Sequence, residues 1–284
     1  MIATTLPTGS VYEQSAYLRA SASHEHAELE LVGVDGAVLP LLRYESGERR
    51  TVYGLPRPLL AAPDQPSKSL HALAETLCGD PSPLTAVLSP ISPGPELAAR
   101  LIERGAERIG ERPIAITELD GGDPEPRFSR RGRRAIRTAL GRGIELQIGP
   151  LAPSFGGFYR AAMAELEAEP IYFFADEYFE ALGELAHFQV SVVDAGGVAA
   201  AALFLHDGAE AYYHLGGRRA NGTPPVLGAM SVALGEGIRE AWRRGCTRAI
   251  LGGGRTAAAD DPLLAFKLQL STATLPRLTV KAGR

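Results

Sequence analysis

Cysteine is nearly absent: Cys78 and Cys246 are the only two in 284 residues, and neither belongs to a CxxC or Cys/His cluster. That isolation excludes a disulfide framework and a cysteine zinc site. His24 and His26 lie two residues apart in a polar segment, too few for a metal without further ligands, so no metal is expected. Long apolar runs are missing too. Stretches such as "GGVAAAALFL" fall short of the roughly 18 to 20 residues that cross a bilayer, and no basic stretch precedes an apolar run at the N-terminus. A cytoplasmic location is the expectation. No GxSxG motif is present, which disfavours a hydrolase with a nucleophile elbow. Lysine is scarce, with Lys68, Lys267 and Lys281 set against 26 arginines, so each retained lysine draws scrutiny. The net charge of −4 argues against a general nucleic-acid coat but allows a local basic patch.

What remains is an ordinary folded composition, 45% apolar with a mean hydropathy of −0.02. Alternating segments "LELVGVD" and "AVLPLLRYE" flank an Asp35-Gly36 turn, and "RRTVYGL" supplies a third strand. A Pro-rich loop, a helix around "LHALAETL", a strand "LTAVLS" and a helix "ELAARLIERG" follow. After the turn-rich "LDGGDPEPRFS" come a basic helix "RRGRRAIRTALGRG", a strand "IELQIG" and two further helices. A three-strand meander, "FQVSVVDA", "GVAAAALFLHD" and "AEAYYHLGG", leads to the long helix "VLGAMSVALGEGIREAWRRG", the strand "TRAILGGG" and the segment "LLAFKLQLST". Both halves run strand, Asp-Gly or Asp-Ala-Gly-Gly turn, strand, acidic turn, aromatic strand, loop, helix, strand. A duplicated module is the simplest source of such a script.

An antiparallel meander followed by a glycine-rich turn and a helix resembles the GNAT (Gcn5-related N-acetyltransferase) core. Two such modules, with "RRGRRAIRTALGRGIEL", "YYHLGG", "AWRRGC" and "AFKLQL" in that order, resemble the FemXAB-like aminoacyltransferases. The resemblance implies an α/β (α+β) chain of tandem GNAT-like modules, each a mainly antiparallel mixed sheet flanked by helices. It divides the chain into a degenerate N-terminal module, 1–122, and a C-terminal module, 123–284, that carries more of the chemistry. The implied activity moves an aminoacyl group from aminoacyl-tRNA onto an amine of a small molecule, peptide or cell-wall precursor, forming an amide. No charged heptad arm is present, which favours a small-molecule or peptide acceptor, as in secondary metabolism. No tightly bound cofactor is implied. The alternatives are an acyl-CoA-dependent GNAT N-acyltransferase and a non-catalytic binding module. Leu251 stands where the family carries an acidic residue.

Amide formation from an activated ester needs a deprotonated amine, near-attack placement and a stabilised oxyanion, with no covalent enzyme intermediate. Lys267 interrupts the apolar run "LLAFKLQL" in a chain that otherwise chooses arginine; by resemblance it sits near the acceptor and supplies positive charge to the oxyanion or a phosphate, with Phe266 beside it. Tyr212 and His214 alternate with Tyr213 across their strand, so one side lines a pocket and His214 or a tyrosine relays a proton, against the commoner fate of a core aromatic. Arg218, Arg219 and Gly222 occupy the turn where a GNAT protein binds pyrophosphate. Arg255 and Asp260 precede the Phe-Lys pair as substrate contacts; "AAADDP", with Asp260 and Asp261, also reads as a helix cap. Arg130, Arg131, Arg133, Arg134 and Arg137 crowd two helical turns, which suits tRNA or a phosphate, or else a solvated helix balanced by "DGGDPE".

Overall fold

The computed structural model describes residues 10–54, 56–61, 66–221, 223–258 and 260–283. They divide into two compact units, 1–112 with 276–284, and 113–275. In the first unit α1 (Ser15–His24) precedes β1 (Glu28–Val34) and β2 (Ala37–Arg43). These two strands pair antiparallel across Asp35 and Gly36, both at positive φ as a tight hairpin of this hand requires. β3 (Arg49–Thr51) and the short β4 (Leu59–Leu60) both add to β2.

α2 (Pro66–Gly79) buries Leu70, Leu73, Ala74 and Leu77, one face at helical spacing. With α3 (Gly94–Glu103) it closes a core on Leu39, Leu41, Leu84, Leu97 and Leu101. β5 (Leu84–Val87) lies parallel to β3 and antiparallel to the end of β12 (Ala273–Ala282). The boundaries between units fall inside β12 and inside β6 (Glu107–Glu118), so the chain divides within strands and not in the turn-rich 119–129 stretch.

Glu13 of the first unit is 2% exposed; its Oε1 accepts the Arg57 backbone N–H at 3.0 Å, while Oε2 has no hydrogen-bond partner among the described residues. Burial outweighs the hydrogen bonds and raises its pKa from 4.5 to about 7. A raised carboxyl costs nothing while both states are protonated, then lowers stability as pH climbs from 4.5 through about 7. Glu13→Gln, which mimics the protonated group, is therefore expected to match the wild type at pH 4. At pH 8 it should be more stable by up to about 3 kcal/mol. Urea unfolding at the two pH values checks this, and an equal midpoint shift at both would count against it.

The second unit holds α4 (Arg130–Leu140), β7 (Glu145–Gly149), α5 (Phe155–Glu165) and α6 (Asp176–Gly183). β8 (His187–Asp194), β9 (Gly197–His206), β10 (Glu210–Arg218), α7 (Ala229–Arg243), β11 (Arg248–Gly252) and α8 (Pro262–Lys267) complete it. Its strands run β6-β11-β10-β9-β8-β7, antiparallel except between β10 and β11. β9 is buried on both faces; Ala200, Ala202 and Phe204, alternate residues along it, share one core with the α7 residues Val232, Ala233 and Ile238. Phe204 stacks on Phe188 at 5.1 Å, and Gly237 of α7 seats on it so closely that a Cβ would lie 2.1 Å from the ring. Each unit is thus a mainly antiparallel mixed sheet with helices, as the sequence implied.

Candidate functional site

β10 and β11 pair only from Glu210/Arg248 to Tyr212/Ile250. Immediately beyond, β10 shifts register against β9 between Tyr213 and Leu215, and β11 shifts against β6 between Ile250 and Gly252. Two bulges at one level end the parallel pairing and bend both strands. Lys267, the last residue of α8, is bracketed by these two strands. Its Nζ donates to the Gly253 carbonyl at 2.8 Å and stands 5.5 Å from the centre of the Tyr213 ring. Lys267 is only 7% exposed, and that carbonyl and the aromatic face are among the groups that offset the burial of its charge.

The turn after β11 explains how the backbone comes so close. Gly252 has φ +78°, and a Cβ there would stand 3.3 Å from the Lys267 Nζ. A Cβ on Gly253 would meet the Pro113 carbonyl at 3.0 Å, and one on Gly254 would strike Asp261 at 2.4 Å. Asp261 caps α8: Oδ1 accepts the N–H groups of Leu263 and Leu264, both at 2.9 Å. Its Oδ2 accepts the Thr256 N–H at 2.9 Å and the Thr256 hydroxyl at 3.1 Å. Burial would raise this carboxyl, but hydrogen bonds from Leu264, Thr256 and Leu263 hold it at about 2. The Asp-Pro step before an apolar run was the sequence signal for this cap; the carboxylate's second set of bonds, back to the glycine turn, had none.

The other expected residues separate around this point. Tyr213 packs on Phe204 within the α7-side core, whereas His214 turns the other way, with Nε2 3.0 Å from the Tyr178 hydroxyl of α6. Burial lowers the His214 pKa to about 3, so the imidazole is neutral and sits on the face away from Lys267. Tyr212 is buried and donates to Glu210 at 2.5 Å. Phe266 packs partly buried on the same core as Tyr213. Asp260 and Arg255 are exposed on the segment leading to α8.

Arg219 is engaged in holding its own loop. It pairs bidentately with Asp194 at 2.8 and 3.0 Å and donates to the carbonyl oxygens of Thr223 and Gly197. The pair is about nine-tenths buried, and the Arg219 bonds, first among the influences on it, bring Asp194 to about 2. Arg218 is exposed and lies 3.6 Å from Glu165. Gly222 lies outside the described residues.

α4 starts at Ser129, whose hydroxyl caps Gly132 and whose backbone N–H donates to the Gln269 carbonyl, two residues past Lys267. Gly132 lets the helix lie against that segment: a Cβ there would meet the Gln269 carbonyl at 2.5 Å. Arg133 folds back onto the carbonyl oxygens of Pro126 and Phe128. Arg130, Arg131, Arg134 and Arg137 are exposed, and their side chains make no ion pair or hydrogen bond with any described residue. The acidic residues of "DGGDPE" make no ion pair with them: Asp123 and Glu125 pair with Arg239 of α7, and Asp120 lies 3.9 Å from Arg127.

No protein-family model matches the sequence, and no curated protein matches it. Solved structures do match its course through space. A structure of FemX aligns over 99% of this chain and 94% of its own, at 15% identity and a TM-score of 0.67. The C-terminal domain (DUF2156) of a putative lysylphosphatidylglycerol synthetase from Agrobacterium fabrum aligns over 93% and 90%, at 12% identity and 0.62. The chain has a tandem GNAT fold. A tandem GNAT protein from the clavulanic acid biosynthesis pathway, solved without AcCoA, shares it at 15% identity and 0.52, over 94% of this chain and 93% of that one. The resemblance to FemXAB-like proteins holds at the level of fold. Among the described residues no cluster of His, Cys, Asp and Glu is placed to hold a metal, and no helix is long and apolar enough to cross a membrane.

Proposed function

We propose that the protein is an N-acyltransferase that moves an aminoacyl group from aminoacyl-tRNA onto the amine of a small molecule or peptide. The observation that carries this reading is Lys267, a buried ammonium fixed where β10 and β11 part. In the reaction the neutral amine attacks the ester carbonyl, the carbon–oxygen bond to the tRNA ribose breaks, and the departing oxygen takes up the proton that the nitrogen loses. Negative charge gathers on the carbonyl oxygen during attack, and a fixed cation beside it lowers that barrier. Tyr213 holds the ammonium from the β10 side, and the Gly253 carbonyl orients it.

Two observations favour a polyanionic donor over coenzyme A. α4 presents four arginines without partners among the described residues, next to the segment that carries Lys267. The turn that would cradle a pyrophosphate spends its Arg219 on Asp194. The FemX resemblance points the same way.

The test supplies charged total bacterial tRNA and, in parallel, acetyl-CoA to the purified protein with a panel of amines, and reads new amides by mass spectrometry. Amide formed only from charged tRNA, and lost after RNase, is expected. Amide formed only from the thioester would replace this reading with the acyl-CoA one, and no amide from either donor would favour the binding module.

A further inference from the structure

We propose that Asp261 is a positioning residue that sets where the Lys267 ammonium stands, by tying the glycine turn 252–254 to the start of α8. One carboxylate, 3% exposed, serves both segments: Oδ1 fixes the first turn of α8, and Oδ2 fixes Thr256 behind the glycines. The Lys267–Gly253 hydrogen bond joins those same two segments at their other ends. Asp261 therefore indexes both partners of that bond. The glycines make the arrangement tight, since Gly254 lies directly against the carboxylate and Gly253 against the Pro113 carbonyl, leaving the turn little room to move. A turn released from Asp261 takes the Gly253 carbonyl with it, and the ammonium loses that acceptor.

The consequence for transfer rests on the function proposed above; the consequence for Lys267 itself does not. Asp261→Asn separates the two ends, because asparagine caps a helix as well as aspartate does while its amide nitrogen cannot accept the Thr256 N–H and keeps only a reversed bond, donated to the Thr256 hydroxyl. The scarcity of lysine supplies the measurement. Lys68 and Lys281 are exposed and Lys267 is buried, so labelling with an amine-reactive reagent, read by mass spectrometry, compares Lys267 against two internal references.

In Asp261→Asn, Lys267 is expected to label severalfold faster while the references and the unfolding midpoint hold. The kcat for amide formation should fall by about 10²-fold with the donor KM unchanged, the scale expected for a small misplacement of a catalytic group. Thr256→Val, which removes the hydroxyl's bonds to Asp261 and to the Ala258 N–H at an exposed position and keeps the Thr256 N–H bond to Asp261, should move both readouts the same way to a smaller degree, and Thr256→Ser should restore them. These variants carry the test should Asp261→Asn fail to fold. Unchanged Lys267 labelling in a folded Asp261→Asn, or in Thr256→Val, overturns the proposal. Altered labelling in a protein whose wild type forms no amide supports the clamp and sinks the transferase reading instead.

Discussion

Lys267→Met is expected to lower kcat for amide formation by about 10² to 10³-fold, the usual cost of removing one fixed donor from an oxyanion site. Methionine keeps the length and apolar character of the lysine stem, so the core contacts around Leu264 and Leu270 survive and the loss reports the ammonium. Donor affinity should stay within a few-fold, because the charge that matters develops only during attack. Lys267→Arg discriminates further. If positive charge alone sufficed, arginine would serve in a chain that uses it 26 times. The Nζ has a 2.8 Å carbonyl on one side and Gly252 close on another, and a planar guanidinium does not fit that space. Lys267→Arg should therefore remain at least about tenfold impaired. Full activity in Lys267→Met, measured in single-turnover assays with saturating donor, would remove the lysine from the mechanism.

Replacing Arg130, Arg131, Arg134 and Arg137 together with glutamine should weaken tRNA binding by about 10²-fold and leave any transfer from a thioester untouched. The mechanism is counterion release, so the plot of log affinity against log salt should lose a slope of about 0.7 to 0.9 for each arginine that meets a phosphate. Stability should hold or rise slightly. Arg130 and Arg134, and Arg134 and Arg137, are like charges at helical spacing, and relieving each repulsion is worth about 0.2 to 0.5 kcal/mol. A fluorescence titration at several salt concentrations checks the slope. An unchanged slope would leave these arginines as a solvated face, and tighter binding of anionic vesicles than of tRNA would assign them to a lipid surface.

Much of the second unit was legible in the sequence. The meander, the long helix and the strand into "GGG" are marked by strong periodicity, and β8, β9, β10, α7 and β11 follow it closely. β6 and β12 were not read as strands, because "ERIGERPIAITE" and "ATLPRLTVKA" each carry a proline inside the strand, which in β12 leaves only the short alternating stretch "RLTVKA". α1 was missed for its serines and weak apolar face. At the site, Lys267 stood out by its rarity, by the apolar run it interrupts and by the family resemblance. The separate fates of Tyr213 and His214 follow strand alternation, but the bulge between Tyr213 and Leu215 and the partner Tyr178 are tertiary facts. Arg219 shows the limit most clearly: a loop arginine before a helix reads as a phosphate ligand until Asp194, 25 residues earlier, is seen to hold it.

The return of residues 276–284 to the first unit bears on how the protein is made. On the ribosome β5 can find β3 at once, but its other neighbour is the end of β12, which emerges only after all of 113–275. The second unit, by contrast, is one uninterrupted stretch of chain. Vectorial synthesis therefore finishes the second unit first and leaves the first with an open strand edge, at Leu84 to Val87, throughout that interval. A nascent chain stalled before Pro276 would carry a complete sheet at its later end and an unsealed one at its beginning, and it is there that a chaperone would be needed.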